Sequence, residues 1–250
     1  MTGRVLFSLA LLVLAGRAWA EAPAECRVAE QLVERDFALS QVNRAIAAKQ
    51  LDILVLGAGS SSLPGPNGTK TAYPARLQSA LNEKLPGVTV KVTTDVKAKR
   101  PAGEMVKALV PALAAAKPSL LVWQTGTVDA MQSIDTDQFR AALDQGINIA
   151  HSAGADVIMV NAQYSPRTDS MIALGIYAEN MRWVALQHEV PLFDRFSVMK
   201  LWADLGTFNL YDPAKKLDTA ERVHDCIGRL LADLVIESAK PDEPHAASGR

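Results

Sequence analysis

Five short apolar runs, at residues 51–56, 88–94, 120–124, 156–161 and 190–194, are set along the chain with helical patterns between most of them. This alternation constrains the fold more than any other feature. Parallel neighbours in a sheet need long crossovers, and crossover helices bury both faces, so the strands read as continuous apolar runs. Residues 73–85, 103–116, 137–153 and 176–188 have helical spacing, and a last helix is expected over 218–238. Residues 26–49 also read as a helix, through Val28, Leu32, Phe37, Val42 and Ile46. The expectation is an α/β domain: a three-layer α/β/α sandwich around a five-stranded parallel sheet. Ligands bind such sheets at the carboxyl ends of the strands, which selects the loops after residues 56, 94, 124, 161 and 194.

Residues 1–20 read as a signal peptide. Arg4 precedes an apolar run from Val5 to Ala15, and Ala18-Trp19-Ala20 supplies small residues for cleavage before Glu21. The run is short for a membrane span, so no stable membrane insertion is expected after cleavage. Residues 21–240 then form one domain, and 241–250 a disordered tail. The mature chain is expected to be secreted or periplasmic and monomeric. Export lets the two cysteines, Cys26 and Cys226, close into a disulfide, with two buried free thiols as the alternative. Two cysteines are too few for a zinc cluster. A formal net charge of -1 gives no excess to recruit nucleic acid or an anionic membrane.

The selected loops carry Gly59-Ser60-Ser61-Ser62, Lys97-Ala98-Lys99-Arg100, Gly126-Thr127-Val128-Asp129, Gln163-Tyr164 and Asp194. The last helix adds Glu221 and His224. A serine after the first strand and a histidine near the carboxyl terminus, with an acid three residues before it, suit acyl transfer: the imidazole takes the hydroxyl proton and the acid orients the ring. In this combination the chain resembles the SGNH, or GDSL, hydrolase family. Gly59-Ser60-Ser61-Ser62-Leu63-Pro64-Gly65 is similar to the Gly-Ser-Ser-Ser form of its first block. Tyr73-Pro74-Ala75-Arg76-Leu77 and Trp123-Gln124-Thr125-Gly126-Thr127 also resemble family segments.

The resemblance implies a flavodoxin-like strand order and ester hydrolysis without metal or organic cofactor, on a small-molecule or glycan ester. It makes Ser61 the nucleophile, with Ser60 and then Ser62 as alternatives, and His224 the base. Glu221 is the orienting acid, with Asp218 and Asp194 as competitors. Backbone N–H groups of Ser61, Ala98 and Lys99 would receive the oxyanion, and Thr127, Val128, Gln163 and Tyr164 would contact substrate. Two departures stand out: Val128 replaces the asparagine of the third block, and the second block has no glycine until Gly103. In a second register, with Gly57 as the glycine that follows the strand, Gly59 occupies the position of the nucleophile. Lys97, Lys99 and Arg100 read as a solvated loop or an attractor of anionic esters, Asp129 as structural, and Trp123 and Tyr164 as packing residues. Two rival functions stay open: a non-catalytic glycan- or envelope-binding module, and an acyltransferase to a sugar hydroxyl.

Overall fold

Strands β1 (Gln50–Gly57), β2 (Thr89–Val96), β3 (Leu120–Gln124), β4 (Asp156–Val160) and β5 (Leu192–Phe193) are all parallel and pair in the order β2-β1-β3-β4-β5. This is the expected sheet, in the flavodoxin-like order. The computed structural model describes residues 23–29, 32, 37–211 and 217–240. The expected signal peptide at 1–20 and tail at 241–250 lie outside the described residues.

The helices are α1 (Ser40–Ala47), α2 (Gly68–Thr71), α3 (Tyr73–Lys84), α4 (Ala102–Ala116), α5 (Thr127–Met131), α6 (Thr136–Ser152), α7 (Pro166–Asp169), α8 (Leu174–Gln187), α9 (Arg195–Asp204) and α10 (Leu217–Ser238). Strand alternation divides the core in two. Leu51, Ile53 and Val55 of β1 pack with Leu77 and Leu81 of α3 and with Val223, Ile227 and Leu231 of α10. Leu54 and Leu56 face the other way, toward Met105 and Leu109 of α4 and the buried face of α6. Both faces of β1 are therefore covered, which is why Ile53 to Leu56 is a continuous apolar run. Each such buried side chain contributes about 1.5–3 kcal/mol relative to exposure.

Helices α3 and α10 approach closely because Gly228 has no side chain. A Cβ there would lie 2.5 Å from Arg76 Cβ and 2.8 Å from the Leu77 nitrogen. The expected disulfide is present: Cys26, in a 3-10 turn at Ala24–Cys26, joins Cys226 of α10 with a Cα–Cα distance of 4.9 Å. No described helix is long and apolar enough to cross a membrane.

Two elements differ from expectation. Among the described residues of the helix read over 26–49, only Ser40–Ala47 are α-helical, and residues 27–29 and 37–39 are not helical. Val28 and Leu32 instead pack individually against the α10 side of the core, so tertiary burial accounts for apolar positions that spacing had assigned to a helix face. Helix α9 was not anticipated. Its signal was local: the Asp194 carboxylate accepts the Ser197 N–H at 3.0 Å, capping a helix that buries Val198, Met199 and Trp202.

Candidate functional site

In this strand order the chain leaves β1 toward β2 and returns to β3 on the other side, opening a crevice at the carboxyl ends of β1 and β3. The three serines enter it on a 3-10 turn at Gly59–Ser61. Ser61 turns inward and is 2 % exposed. Its Oγ donates to Gln124 Oε1 at 2.8 Å and lies 2.9 Å from the Tyr73 hydroxyl. Because Ser61 has one proton and gives it to Gln124, the Tyr73 hydroxyl is the donor to Ser61. Gly57 makes room for this contact, since a Cβ there would fall 2.3 Å from Ser61 Oγ. Tyr73 opens α3, so its N–H has no partner inside the helix; it donates instead to His224 Nδ1 at 3.0 Å. Gln124, Ser61, Tyr73 and His224 thus form one buried chain linking β3, the β1 loop, α3 and α10.

The acceptor role of Nδ1 assigns the tautomer: the neutral His224 ring carries its proton on Nε2. A serine–histidine relay needs the reverse, with Nδ1–H held by an acid and Nε2 free to accept the hydroxyl proton. Burial, followed by the positive charge of Arg195, pushes the ring's pKa down to about 3. Among the described residues no carboxylate hydrogen-bonds the ring. Glu221 is half-buried without a bond to it, and Asp218 is exposed. Asp194 is committed to the α9 cap, to Asn161 Nδ2 at 2.7 Å and to Arg182. The structure therefore does not bring Ser61, His224 and Glu221 together as a relay; Tyr73 bridges the first two, and the third stands apart.

A pocket of about 460 Å³ opens beside this chain, lined by Ser60, Gln163, Tyr164, Arg195 and His224, with Leu63, Met199, Leu210 and Val223 completing an apolar wall. Ser60 and Ser62, not Ser61, are the serines that share it with His224, and Ser62 Oγ is engaged in donating to the Gly59 carbonyl at 3.0 Å. Ser60 Oγ is buried with no hydrogen-bond partner. Arg195, the first residue of α9, is fully buried. It donates through Nη1 to the Ser60 carbonyl at 3.0 Å and through Nη2 to Gln163 Oε1 at 3.1 Å, and its guanidinium lies 5.7 Å from the Tyr73 ring centre. Burial lowers its pKa to about 10, so it stays charged at neutral pH. Sequence reasoning missed Arg195 because it missed α9. Tyr164 serves both as pocket wall and as packing residue, edge-on to Phe196 at 5.3 Å.

Of the expected oxyanion and substrate residues, Lys99, Thr127 and Val128 line a second hollow of about 330 Å³ together with Gly59 and Ser60, Gln163 and Tyr164 line the first pocket, and the Ser61 N–H is already bonded to the Ala58 carbonyl at 2.9 Å. Ala98 and Lys99 lie exposed after β2. Val128 has no side-chain donor to offer, and Thr127 Oγ1 accepts the Gln163 N–H at 3.0 Å, which keeps its own O–H available to donate. β1 ends at Gly57, and a Cβ at Gly59 would touch only Ala98, at 3.8 Å. The position that the second register assigns to the nucleophile is thus open space beside glycine. Arg100 turns inward to pair with Asp95 at 3.0 Å and to reach the Gly57 carbonyl at 3.3 Å, while Lys97 and Lys99 remain exposed. Asp129 is structural, accepting from the Ala102 N–H, the Thr125 hydroxyl and the Gly126 N–H, and burial raises its pKa. Trp123 packs in the core, its Nε1 3.2 Å from the Met105 sulfur. Among the described residues, no group of three His, Cys, Asp or Glu side chains could hold a metal.

Residues 25–241 match the non-GDSL lipase-like family. The chain belongs to that family. No curated protein matches it. Among solved structures it is similar to TesA, at 20 % identity over 73 % of this chain and 99 % of the other, with a TM-score of 0.56. It is similar also to LAE5, an α/β hydrolase from the metagenome of Lake Arreo, Spain, at 16 % identity over 76 % and 97 % of the two chains, TM-score 0.60. A two-domain esterase active on acetylated mannans matches with a TM-score of 0.67 at 11 % identity, over 89 % of this chain and 60 % of that one. At these identities the likeness establishes the fold.

Proposed function

We propose that this chain is a ligand-binding member of its lipase-like family, receiving an acyl ester or the corresponding acid in the pocket between the β1 loop, α9 and α10, and holding it without forming an acyl-serine. Ester hydrolysis is the expectation for the family as a whole. One observation carries the departure from it: His224 Nδ1 accepts the Tyr73 N–H, so the nitrogen that would take a serine proton already bears one. A ring whose pKa lies about 3 is also far from the range in which a general base works near neutrality. The valine at 128 and the glycine at 59 support the same reading, since neither supplies a donor or a nucleophile from its side chain.

Hydrolysis through Ser60 is the second reading, favoured because Ser60 Oγ has no partner and its residue lines the pocket with His224. Treating the purified mature protein with a fluorophosphonate probe, beside p-nitrophenyl acetate turnover, separates the two. The binding reading expects no labelled serine and turnover equal to that of Ser60→Ala. Labelling at Ser60 with loss of turnover in Ser60→Ala would establish hydrolysis, and acceleration by an added sugar hydroxyl would indicate transfer. Export completes the proposal, since oxidising compartments favour a bridge such as Cys26–Cys226. Amino-terminal sequencing of the protein recovered outside the cytoplasm should then begin at Glu21.

A further inference from the structure

We infer that the pocket takes an acyl chain ending in a carboxylate, with Arg195 as its counter-ion; this deepens the ligand-binding reading and rests on it. A guanidinium has five N–H donors and no acceptor. Arg195 places two bonds, to the Ser60 carbonyl and the Gln163 amide oxygen, and both acceptors are neutral. Its Nε is buried and has no partner. No carboxylate among the described residues pairs with it, although the side chain is 0 % exposed. Burying an unpaired cation costs several kcal/mol, by order of magnitude, and an incoming anion recovers much of that cost.

The polar groups around Arg195 have the same sense. His224 offers Nε2–H, because Nδ1 is already engaged. Gln163 turns its carbonyl oxygen to Arg195, which leaves the amide NH2 as its remaining function. Among the described residues, no Asp or Glu lines the pocket. Donors at one side and hydrocarbon from Leu63, Met199, Leu210 and Val223 along the other match a molecule with an anionic head and an apolar chain. The volume of about 460 Å³ is in the range of small-ligand sites.

Titration calorimetry with octanoate and methyl octanoate tests the inference on the full mature chain, because methylation removes the charge and leaves the acyl chain. Octanoate should bind about tenfold more tightly or better, the size expected of charge-assisted hydrogen bonds. Arg195→Gln should remove that preference, and Arg195→Lys should retain part of it. Equal affinity of the acid and its methyl ester for the wild type would overturn the inference while leaving the pocket reading intact. Persistence of the preference in Arg195→Gln would also overturn it. Binding of neither compound would remove the pocket reading itself. Should Arg195→Gln not fold, the wild-type comparison decides alone.

Discussion

Ser60 and Ser61 are neighbours on one turn, yet the Ser61 hydroxyl has two hydrogen-bond partners and the Ser60 hydroxyl has none. On the Ser61 side the hydroxyl, the Tyr73 hydroxyl, the Tyr73 N–H and His224 Nδ1 are all engaged within the protein, and only Gln124 Nε2 is left without a partner. On the Ser60 side a serine Oγ and the Arg195 Nε are buried without partners. A hydroxyl that satisfies its neighbours holds elements together, and removing it leaves those neighbours desolvated and unpaired. A buried donor with nothing to bond is a standing cost, which a protein retains where a ligand completes it. The difference teaches that the serine resembling a nucleophile is structural in its contacts, and that the incomplete site lies one residue earlier.

The comparison can be broken in several ways. Replacing both Cys26 and Cys226 by alanine releases α10, which carries His224, and should cost about 5 kcal/mol in urea unfolding on the chain-entropy account of so long a loop. Tyr73→Ala opens a cavity at the centre of the satisfied cluster and should cost about 3–5 kcal/mol. Ser61→Ala, which leaves Gln124 and Tyr73 each short of a partner, should cost about 1–3 kcal/mol. A Ser61→Ala variant as stable as wild type would dissolve the contrast.

Acid offers a sharper probe of His224. Its pKa falls from an ordinary 6.5 to about 3 on folding, so below pH 6.5 the unfolded chain takes up the proton first. Stability contributed by the neutral ring is present above pH 6.5 and is lost as pH falls toward 3. Burial raises the pKa values of Asp129 and Asp156, which act in the opposite sense but equally in wild type and in a His224 variant. His224→Gln keeps an acceptor for the Tyr73 N–H and should flatten the fall in urea midpoint between pH 7 and pH 4.5; identical slopes would contradict the neutral buried ring. The smallest effect is expected for Ser60→Ala, within about 0.5 kcal/mol of wild type, because its hydroxyl makes no hydrogen bond. A loss as large as that of Ser61→Ala would show that the two sides are alike.

The sheet was legible because burial on both faces writes the central strands into the chain as apolar runs, while the exposed edge strand β2 shows as a β-branched alternation; β3 matches its expected span, and β1, β2 and β4 lie within two residues of theirs. The disulfide was legible from two cysteines and the expectation of export. The polar site was only half legible. Ser61, His224, Gln163 and Tyr164 do converge on one edge of the sheet, as their loops required, but residue type says nothing of which atom faces which. Arg195 follows the last strand within one residue of a selected loop, and its Asp194 cap was the available clue.

What the chain determined by itself was the layer order, the two cores and the edge where polar loops gather, since periodic burial depends on residues near one another along the sequence. Tertiary structure alone decided that Tyr73 stands between the serine and the histidine and that, among the described residues, an arginine lines the pocket without a carboxylate. Those contacts join residues as far apart as Tyr73 and His224, and hydrogen-bond direction follows from the placement of individual atoms, which no local pattern encodes.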